Sequence, residues 1–319
     1  MTERPHDRDE YSEKYSRQRF KSPAPEEELG DMHLATENYS IALEYYERAL
    51  NKIHANPRPD DLLRLYLKIS DCYRKKGLLD ESKTFLKSAA SHCDNTDRII
   101  VGMITWRHGV ILYDEGKITP ALKEACKAYK LLKDSSEHRE VASSQLLIAN
   151  CYMRLGKNDE AEQYFLDALS TYRRIDDHIG ESYVLNNLGL FHKNACRFGR
   201  ALQFFSRADE LCDKLGLTQH KARVMLNIGI VYFKVRDFAK AKSSFASAKK
   251  IARRAGDELK YAKANLMLGR VEIVMGDFAS AERHLLEARV ISERRGYARE
   301  VALADEYLGD CLLYTSDAA

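Results

Sequence analysis

A pattern of small and large side chains recurs about every forty residues, and an internal period of this length constrains the fold more than any other feature of the chain. Each copy has a small residue, a large residue four positions later and a second small residue three positions after that. The copies are Ala42/Tyr46/Ala49, Ser82/Leu86/Ala89, Ala121/Ala125/Ala128, Ala161/Phe165/Ala168, Ala201/Phe205/Ala208, Ala241/Phe245/Ala248 and Ala281/Leu285/Ala288, with Ala125 in the large position of the third. Their starts are 40, 39, 40, 40, 40 and 40 residues apart. This regularity predicts an array of similar units.

The spacing inside each copy predicts an α-helix, because positions i, i+4 and i+7 lie on one helical face. Another small residue stands twelve positions before each copy: Gly30, Ser70, Gly109, Ala149, Gly189, Gly229 and Gly269, with Gly309 continuing the series. We interpret the small residues as positions where two helices pack closely against each other. The large side chain then fills the space between the two helices. Glycines such as Gly77 and Gly216 are expected to end these helices. The sequence therefore predicts seven helix hairpins and the first helix of an eighth over residues 23–310.

Composition agrees with a folded helical protein that has a large charged surface. The 319 residues are 45% hydrophobic and 31% charged, and only Pro120 follows residue 60 among the six prolines. Seven scattered cysteines without a CxxC pair indicate reduced thiols rather than disulfides or a zinc site. The net charge of +3 is too small to indicate nucleic-acid binding. No apolar run approaches the roughly 18 residues of a membrane span, and no secretory signal is visible, so we expect a cytoplasmic protein without membrane contact.

The triplets, together with Ile228-Gly229-Ile230-Val231-Tyr232 in the preceding helix, resemble the tetratricopeptide repeat. The resemblance covers about residues 23–310 and implies an all-α, right-handed superhelix of hairpins whose first helices line a concave groove. The period departs from the family, since the common repeat is about 34 residues long. Longer repeats of this kind are similar to those in bacterial transcription regulators, among them the sigma-54-dependent activators.

The two ends of the chain differ from the repeats. Residues 1–22 mix both charge signs without a sustained apolar period, and we predict a disordered arm there. Residues 311–319 are expected to fit no repeat position, and they resemble the translation of a sequencing adapter. The eighth hairpin is then expected to lack its second helix. The apolar edge left uncovered predicts end-to-end self-association.

No motif for catalysis or for a cofactor is found. The sequence contains no HExxH, no GxxxxGK[ST], no GxSxG and no GxGxxG after a strand. The ten histidines are dispersed, which disfavours a metal site. We therefore expect neither an enzyme nor a cofactor, and the repeat surface becomes the place to look for function.

The resemblance implies which side chains of the first helices point into the groove. The candidate peptide-binding set is Trp106, Asn150, Asn186, Asn187, Arg223, Asn227, Lys263 and Arg270. Asn150, Asn187 and Asn227 come from three successive units, and family members that bind peptides hold the peptide backbone with an asparagine ladder of this kind. The alternative is that these amides bond neighbouring helices.

The cations and the tryptophan can likewise be interpreted either as ligand-binding residues or as residues without a binding role. Arg223, Lys263 and Arg270 would make the later groove basic and attract an acidic segment, or they are solvated. A carboxylate clamp is only partly matched, because Leu146 and Asn227 stand where two further cations are expected. Trp106 is expected to anchor a ligand side chain or to fill space in a degenerate repeat.

The favoured function is a protein–protein interaction scaffold that binds a peptide or helical segment in the groove, without direct nucleic-acid binding. The alternative is the sensor arm of a bacterial transcription regulator, which the run Ala302-Leu303-Ala304-Asp305-Glu306-Tyr307-Leu308-Gly309-Asp310 resembles. An ATP-binding P-loop and a DNA-binding helix-turn-helix encoded beyond residue 310 would establish this alternative.

Overall fold

A computed structural model describes residues 25–53, 58–94 and 96–316, and within these ranges the chain is helical and contains no strand. The predicted arm over residues 1–22 lies outside the described residues. Fifteen helices are described: α1 Pro25–Ala35, α2 Tyr39–Ile53, α3 Pro59–Lys75, α4 Leu79–Ser91, α5 Arg98–Asp114, α6 Ile118–Leu132, α7 His138–Arg154, α8 Asn158–Arg174, α9 His178–Asn194, α10 Phe198–Leu215, α11 Thr218–Lys234, α12 Phe238–Arg254, α13 Glu258–Met275, α14 Phe278–Arg295 and α15 Ala298–Ser316. The predicted all-α fold is confirmed.

Odd-numbered helices are the first members of hairpins and even-numbered helices are the second members. Within both units, second helices pack on their own first helix and on the next one, as α4 does on α3 and α5 and as α12 does on α11 and α13. Helix α15 follows the seventh hairpin and packs on α13 and α14; that it begins an eighth hairpin stays a prediction. None of the described helices combines the length and the apolar composition that crossing a bilayer requires.

Contacts divide the chain into two units, Met1–Val184 and Leu185–Ala319, each of which is described by itself. In the first unit, α5 contacts α3 and α7, and in the second unit α13 contacts α11 and α15. No two second helices in the described part of either unit pack together to this extent. First helices are therefore more closely spaced than second helices. We call the exposed surface of the first helices the inner face and that of the second helices the outer face.

The two helices of a hairpin meet where a large side chain lies on a small residue. Phe245 is fully buried, and a Cβ built on Gly229 would be only 2.5 Å from its Cε1 atom. Gly189 bears the same relation to Phe205, again at 2.5 Å. A methyl group cannot be accommodated there without displacing the ring, so the period seen in the sequence is a packing constraint.

The second hairpin achieves the same contact with hydroxyl groups. Ser70 stands in the position of the glycine and Ser82 in that of the first alanine, and both are buried. The Ser70 hydroxyl donates to the Ser82 carbonyl at 2.8 Å, and the Ser82 hydroxyl donates to the Ser70 carbonyl at 2.9 Å. These reciprocal bonds satisfy two buried polar groups while keeping the helices close.

Residues with a left-handed backbone conformation end the helices where the sequence predicts helix-terminating residues. Gly216 follows α10 with a φ of 67° and Gly276 follows α13 with a φ of 78°. Cys196 and Arg236 adopt the same conformation after α9 and α11, with φ values of 57° and 64°. Side chains other than glycine are disfavoured there, so sequence inspection did not identify these two positions.

Helix α15 continues beyond Asp310, and Cys311 is 4% exposed. Cys311 follows the small site Gly309 by two residues, as the buried Cys72 follows Ser70 and Cys151 follows Ala149. The repeat therefore extends through Cys311, contrary to the expectation that this segment fits no repeat position. The adapter origin of residues 311–319 stays a prediction.

Substitution of Gly229 by alanine should destabilise the fold by about 1–3 kcal/mol, because its Cβ would overlap the Phe245 ring. Gly309→Ala is the matched control, since a Cβ at Gly309 meets no atom within 4 Å. There the change should be neutral or stabilise the helix by up to about 1 kcal/mol. Urea unfolding followed by circular dichroism measures both effects. Equal destabilisation by the two variants would contradict the packing argument.

Candidate functional site

A chain of three amide side chains lies on the inner face of the second unit. The Nδ2 atom of Asn227 in α11 donates to Oδ1 of Asn186 in α9 at 2.9 Å. Nδ2 of Asn186 donates to Oδ1 of Asn187 at 3.3 Å. Asn186 and Asn227 are 2% and 9% exposed, whereas Asn187 is half-buried. The Asn186–Asn227 bond therefore joins two first helices, and Asn187 is the member most accessible to a ligand.

This arrangement differs from the predicted ladder. The side chain that bonds Asn227 belongs to Asn186, and Asn187 is connected to it only through Asn186. Asn150 lies half-buried on α7 in the first unit. Bonding between neighbouring helices, which the sequence left open, is thus observed for Asn186 and Asn227. A ligand-binding role for the asparagines stays a prediction.

The predicted cations of the second unit are held by neighbouring side chains. Lys263 Nζ is 3.4 Å from Oε1 of Glu300, which partly balances its charge. The exposed Arg270 guanidinium lies 4.9 Å from the ring centre of Phe233 and 5.4 Å from that of Tyr307. Cation–π contacts hold it between α11 and α15. Arg223 is half-buried on α11. With Lys263 balanced in this way, the inner face is less basic than the sequence suggested.

Trp106 in the first unit packs into the hydrophobic cluster that contains Ala121, Ala125 and Leu147. Its indole is half-buried, and the Arg107 guanidinium lies 5.1 Å from its ring centre. The third repeat has Ala125 where other repeats have a large side chain, so Trp106 adds volume where that chain is missing. The space-filling alternative therefore accounts for its position.

Tyr183 also reaches the inner face of the first unit, where it contacts the turn between α1 and α2. Its hydroxyl donates to Oε1 of Glu37 at 2.9 Å, and the Lys75 ammonium lies 5.1 Å from its ring centre. Glu37 is 2% exposed. Sequence reasoning missed this contact, because no local pattern connects residues 146 positions apart.

Ion pairs occupy the inner face between α1 and α3. Both oxygens of the fully buried Glu27 accept from the Arg64 guanidinium, at 2.6 and 2.9 Å, and Lys68 Nζ lies 2.8 Å from Oε1. Burial alone would raise the pKa of the Glu27 carboxyl, but the hydrogen bonds from Arg64 and Lys68 outweigh it and lower that pKa. This part of the face is electrostatically satisfied within the chain itself.

The described residues contain no group of three or more side chains suited to bind a metal ion. Their inner face instead presents amides, cations on aromatic rings and ion pairs. Groups of these kinds can form hydrogen bonds and electrostatic contacts with a ligand, so the inner face is the candidate binding surface.

Comparison with known proteins identifies the repeat. Sequence patterns described as tetratricopeptide repeat match residues 63–91, 140–214 and 220–294, which together make up more than half of the chain. The chain belongs to the tetratricopeptide repeat family. The matched segments coincide with hairpins whose helices meet through the small and large residues described above.

Among tetratricopeptide repeat proteins, the chain is similar to regulatory proteins. It is 23% identical to the regulatory protein RapG of Bacillus subtilis over 160 residues, which are 49% of this chain and 43% of RapG. The chain therefore spans less than half the length of this relative. The sequence-based resemblance to repeat regions of bacterial regulators is confirmed.

Two solved structures share the fold. A Rap protein complexed with Competence and Sporulation Factor aligns with a TM-score of 0.63 and 13% identity over 96% of this chain and 91% of its own. A signal transduction ATPase from Pyrococcus horikoshii with a tetratricopeptide repeat sensor aligns with a TM-score of 0.65 and 16% identity, over 83% of this chain and 42% of its own.

Replacing Glu27 by glutamine should destabilise the first unit by about 1–3 kcal/mol near neutral pH, because Arg64 and Lys68 lose their carboxylate partner. Since the pKa of Glu27 is lowered from about 4.5, its stabilisation is present above that value and is lost as the pH falls through the folded-state pKa. The unfolding free energies of the Glu27→Gln variant and of the unmodified chain should therefore become equal at acid pH.

Glu28→Gln is the control for this experiment, because Glu28 is an exposed neighbour on the same helix. Its stability should follow that of the unmodified chain at every pH. The unfolding free energies of Glu27→Gln and of the unmodified chain could still differ below the lowered pKa of Glu27. That result would show that the destabilisation does not come from the loss of the ionised carboxylate.

Proposed function

We propose that this chain is a protein-interaction scaffold whose inner face binds an extended or helical peptide segment in the cytoplasm. The observation that carries the proposal is the amide chain Asn227–Asn186–Asn187. An amide offers a donor and an acceptor, so Asn187 can hold a peptide backbone whatever the peptide's sequence. Because Asn186 already orients it, little side-chain entropy is lost on binding.

The comparisons support a peptide as the ligand class. The Rap protein whose fold matches 96% of this chain was solved in complex with Competence and Sporulation Factor, and the Rap conjugation gene regulator of the plasmid pLS20 was solved in complex with the Phr* peptide. In our proposal, Arg223 and Arg270 favour acidic side chains in the bound segment, while Lys263 contributes less because Glu300 is near it. In the first unit, Asn150 is the half-buried amide that we propose for the same role.

Asn187→Ala should weaken the binding of a peptide selected from a random-sequence display library by about five- to tenfold, because one amide hydrogen bond contributes roughly 1 kcal/mol. The melting temperature should fall less than in Asn227→Ala, because the Asn186–Asn187 bond that the change removes is the longer of the two, at 3.3 Å. Asn227→Ala should lower stability as well, because Asn186 Oδ1 then loses its donor. Isothermal titration calorimetry and thermal unfolding measure the two effects.

Asn194→Ala, at the exposed end of the same helix α9, is the control and should alter neither quantity. If Asn187→Ala binds the selected peptide as tightly as the unmodified chain does, the amide chain is structural only and the proposed binding role is wrong.

A second candidate function is the sensor arm of a larger regulator. The Pyrococcus ATPase, whose repeat region is described as a sensor, favours this candidate, since this chain aligns with 42% of that protein. The full gene decides between the two. An encoded P-loop and helix-turn-helix would assign the repeats to a regulator, and their absence would leave the scaffold.

We also propose that the C-terminal end of the array mediates end-to-end association. Leu286 and Val290 of α14 are 44% and 61% exposed, and Leu312 and Leu313 of α15 are 64% and 65% exposed. Exposed apolar side chains on the last two described helices favour contact with a second copy of this chain.

Light scattering over a concentration series should show a rising average mass for the unmodified chain. The Val290→Lys variant, which places a charge on that surface, should remain monomeric. A constant monomer mass for the unmodified chain at all concentrations would contradict the proposed association.

A further inference from the structure

The second helix of the sixth hairpin, α12, has an unusual charge. Its 17 residues include six lysines and arginines and no acidic residue, although the whole chain has a net charge of only +3. As a second helix, α12 lies on the outer face of the second unit. This surface is therefore distinct from the inner face to which the proposed function refers.

The cations of α12 line an open cleft of about 390 Å³. Lys242, Lys249, Lys250, Arg253 and Arg254 come from this helix. Glu272 of α13 and His284 of α14 also line the cleft. Its apolar floor includes Ala246 and Leu268. Five cationic side chains thus surround a cleft that contains one carboxylate.

That carboxylate is already engaged. Glu272 is 1% exposed, its Oε1 lies 3.0 Å from Lys242 Nζ, and its Oε2 lies 2.7 Å from His284 Nδ1. Lys249 is paired in turn with Glu287 at 2.8 Å. These contacts hold Lys242 and Lys249 in place on one side of the cleft. The carboxylate of the cleft therefore does not neutralise the charges of the remaining cations.

Lys250, Arg253 and Arg254 are exposed, and none of them forms an ion pair with a described residue. Arg253 and Arg254 also lie in the last turn of α12, where cations interact favourably with the helix dipole. The helix dipole therefore explains why Arg253 and Arg254 stand at the end of α12. It does not explain the presence of Lys250 or the position of the three cations beside a cleft.

The shape of the basic surface favours an elongated ligand. From Lys242 to Arg254 the helix advances by about 18 Å, whereas one phosphate contacts only a few neighbouring cations. A second cleft of about 460 Å³ is also lined by Lys250 and Arg254 and extends to Lys221 of α11. Its two carboxylates, Asp209 and Asp213, pair with Lys221, so Lys250 and Arg254 continue the basic surface from one cleft to the other.

We propose that the outer face of α12 binds an acidic protein segment, with several carboxylates placed along the helix beside Lys250, Arg253 and Arg254. Charge complementarity and the length of the basic surface support this partner class. The inference does not rest on peptide binding at the inner face, so each proposal can fail alone.

The test uses a fluorescein-labelled decamer of glutamate and measures its anisotropy at 50 and 150 mM salt. The unmodified chain should bind it saturably, and more tightly at the lower salt concentration. The triple variant Lys250→Gln, Arg253→Gln and Arg254→Gln should bind about tenfold more weakly, because it removes the three uncompensated cations. Thermal unfolding should show that this variant is folded.

A matched control removes three exposed cations of α10, the preceding second helix: Arg200→Gln, Arg207→Gln and Lys214→Gln. It changes the net charge equally and should alter binding less than twofold. Equal weakening by both triple variants would show that only net charge matters and would overturn the proposal.

A competition arm defines the ligand. Inorganic phosphate should displace the decamer only at concentrations far above those of unlabelled decaglutamate. Displacement at comparable concentrations would show a general anion site and would overturn the choice of an acidic segment.

Discussion

The contact between a large side chain and a small residue inside each hairpin is the interaction on which the rest of the structure depends. Phe205 on Gly189 and Phe245 on Gly229 set how closely the paired helices approach. The serine pair of the second hairpin achieves the same approach through hydrogen bonds. Since second helices within a unit also pack on the following first helix, this distance determines where the next hairpin begins. The positions of inner-face side chains such as Asn186 are consequences of that packing.

The closer spacing of first helices explains why the two faces differ in chemistry. Side chains of successive first helices can reach one another, as Arg107 reaches Asp71 at 3.0 Å and Asn227 reaches Asn186 at 2.9 Å. Polar groups there are oriented by partners within the chain, which favours a precise binding surface. Second helices are farther apart, and although Lys249 of α12 still reaches Glu287 of α14 at 2.8 Å, Lys250 has no such partner among the described residues. It remains exposed to solvent and accessible to other molecules.

The architecture was predictable from the sequence because it follows from features that repeat. Residue size at fixed spacing predicts the hairpins, and glycines at regular positions predict the helix ends. The candidate site was less predictable because it depends on particular neighbours. Adjacent residues on a helix differ by about 100° in direction, and this difference is what places Asn186 rather than Asn187 against Asn227. The pairing of Lys263 with Glu300 has no local signature either. The basic surface of α12 was visible as a run of cations, but its exposure required the structure.

The contact between Tyr183 and Glu37 has a consequence for how the first unit assembles. Hairpin arrays are stabilised mostly by nearest neighbours, so they fold through local steps. A hydrogen bond between residues 146 positions apart cannot form until the intervening hairpins have stacked. We therefore expect this bond to form late in folding. We also expect it to couple local opening of the α1–α2 turn to that of α9 near Tyr183.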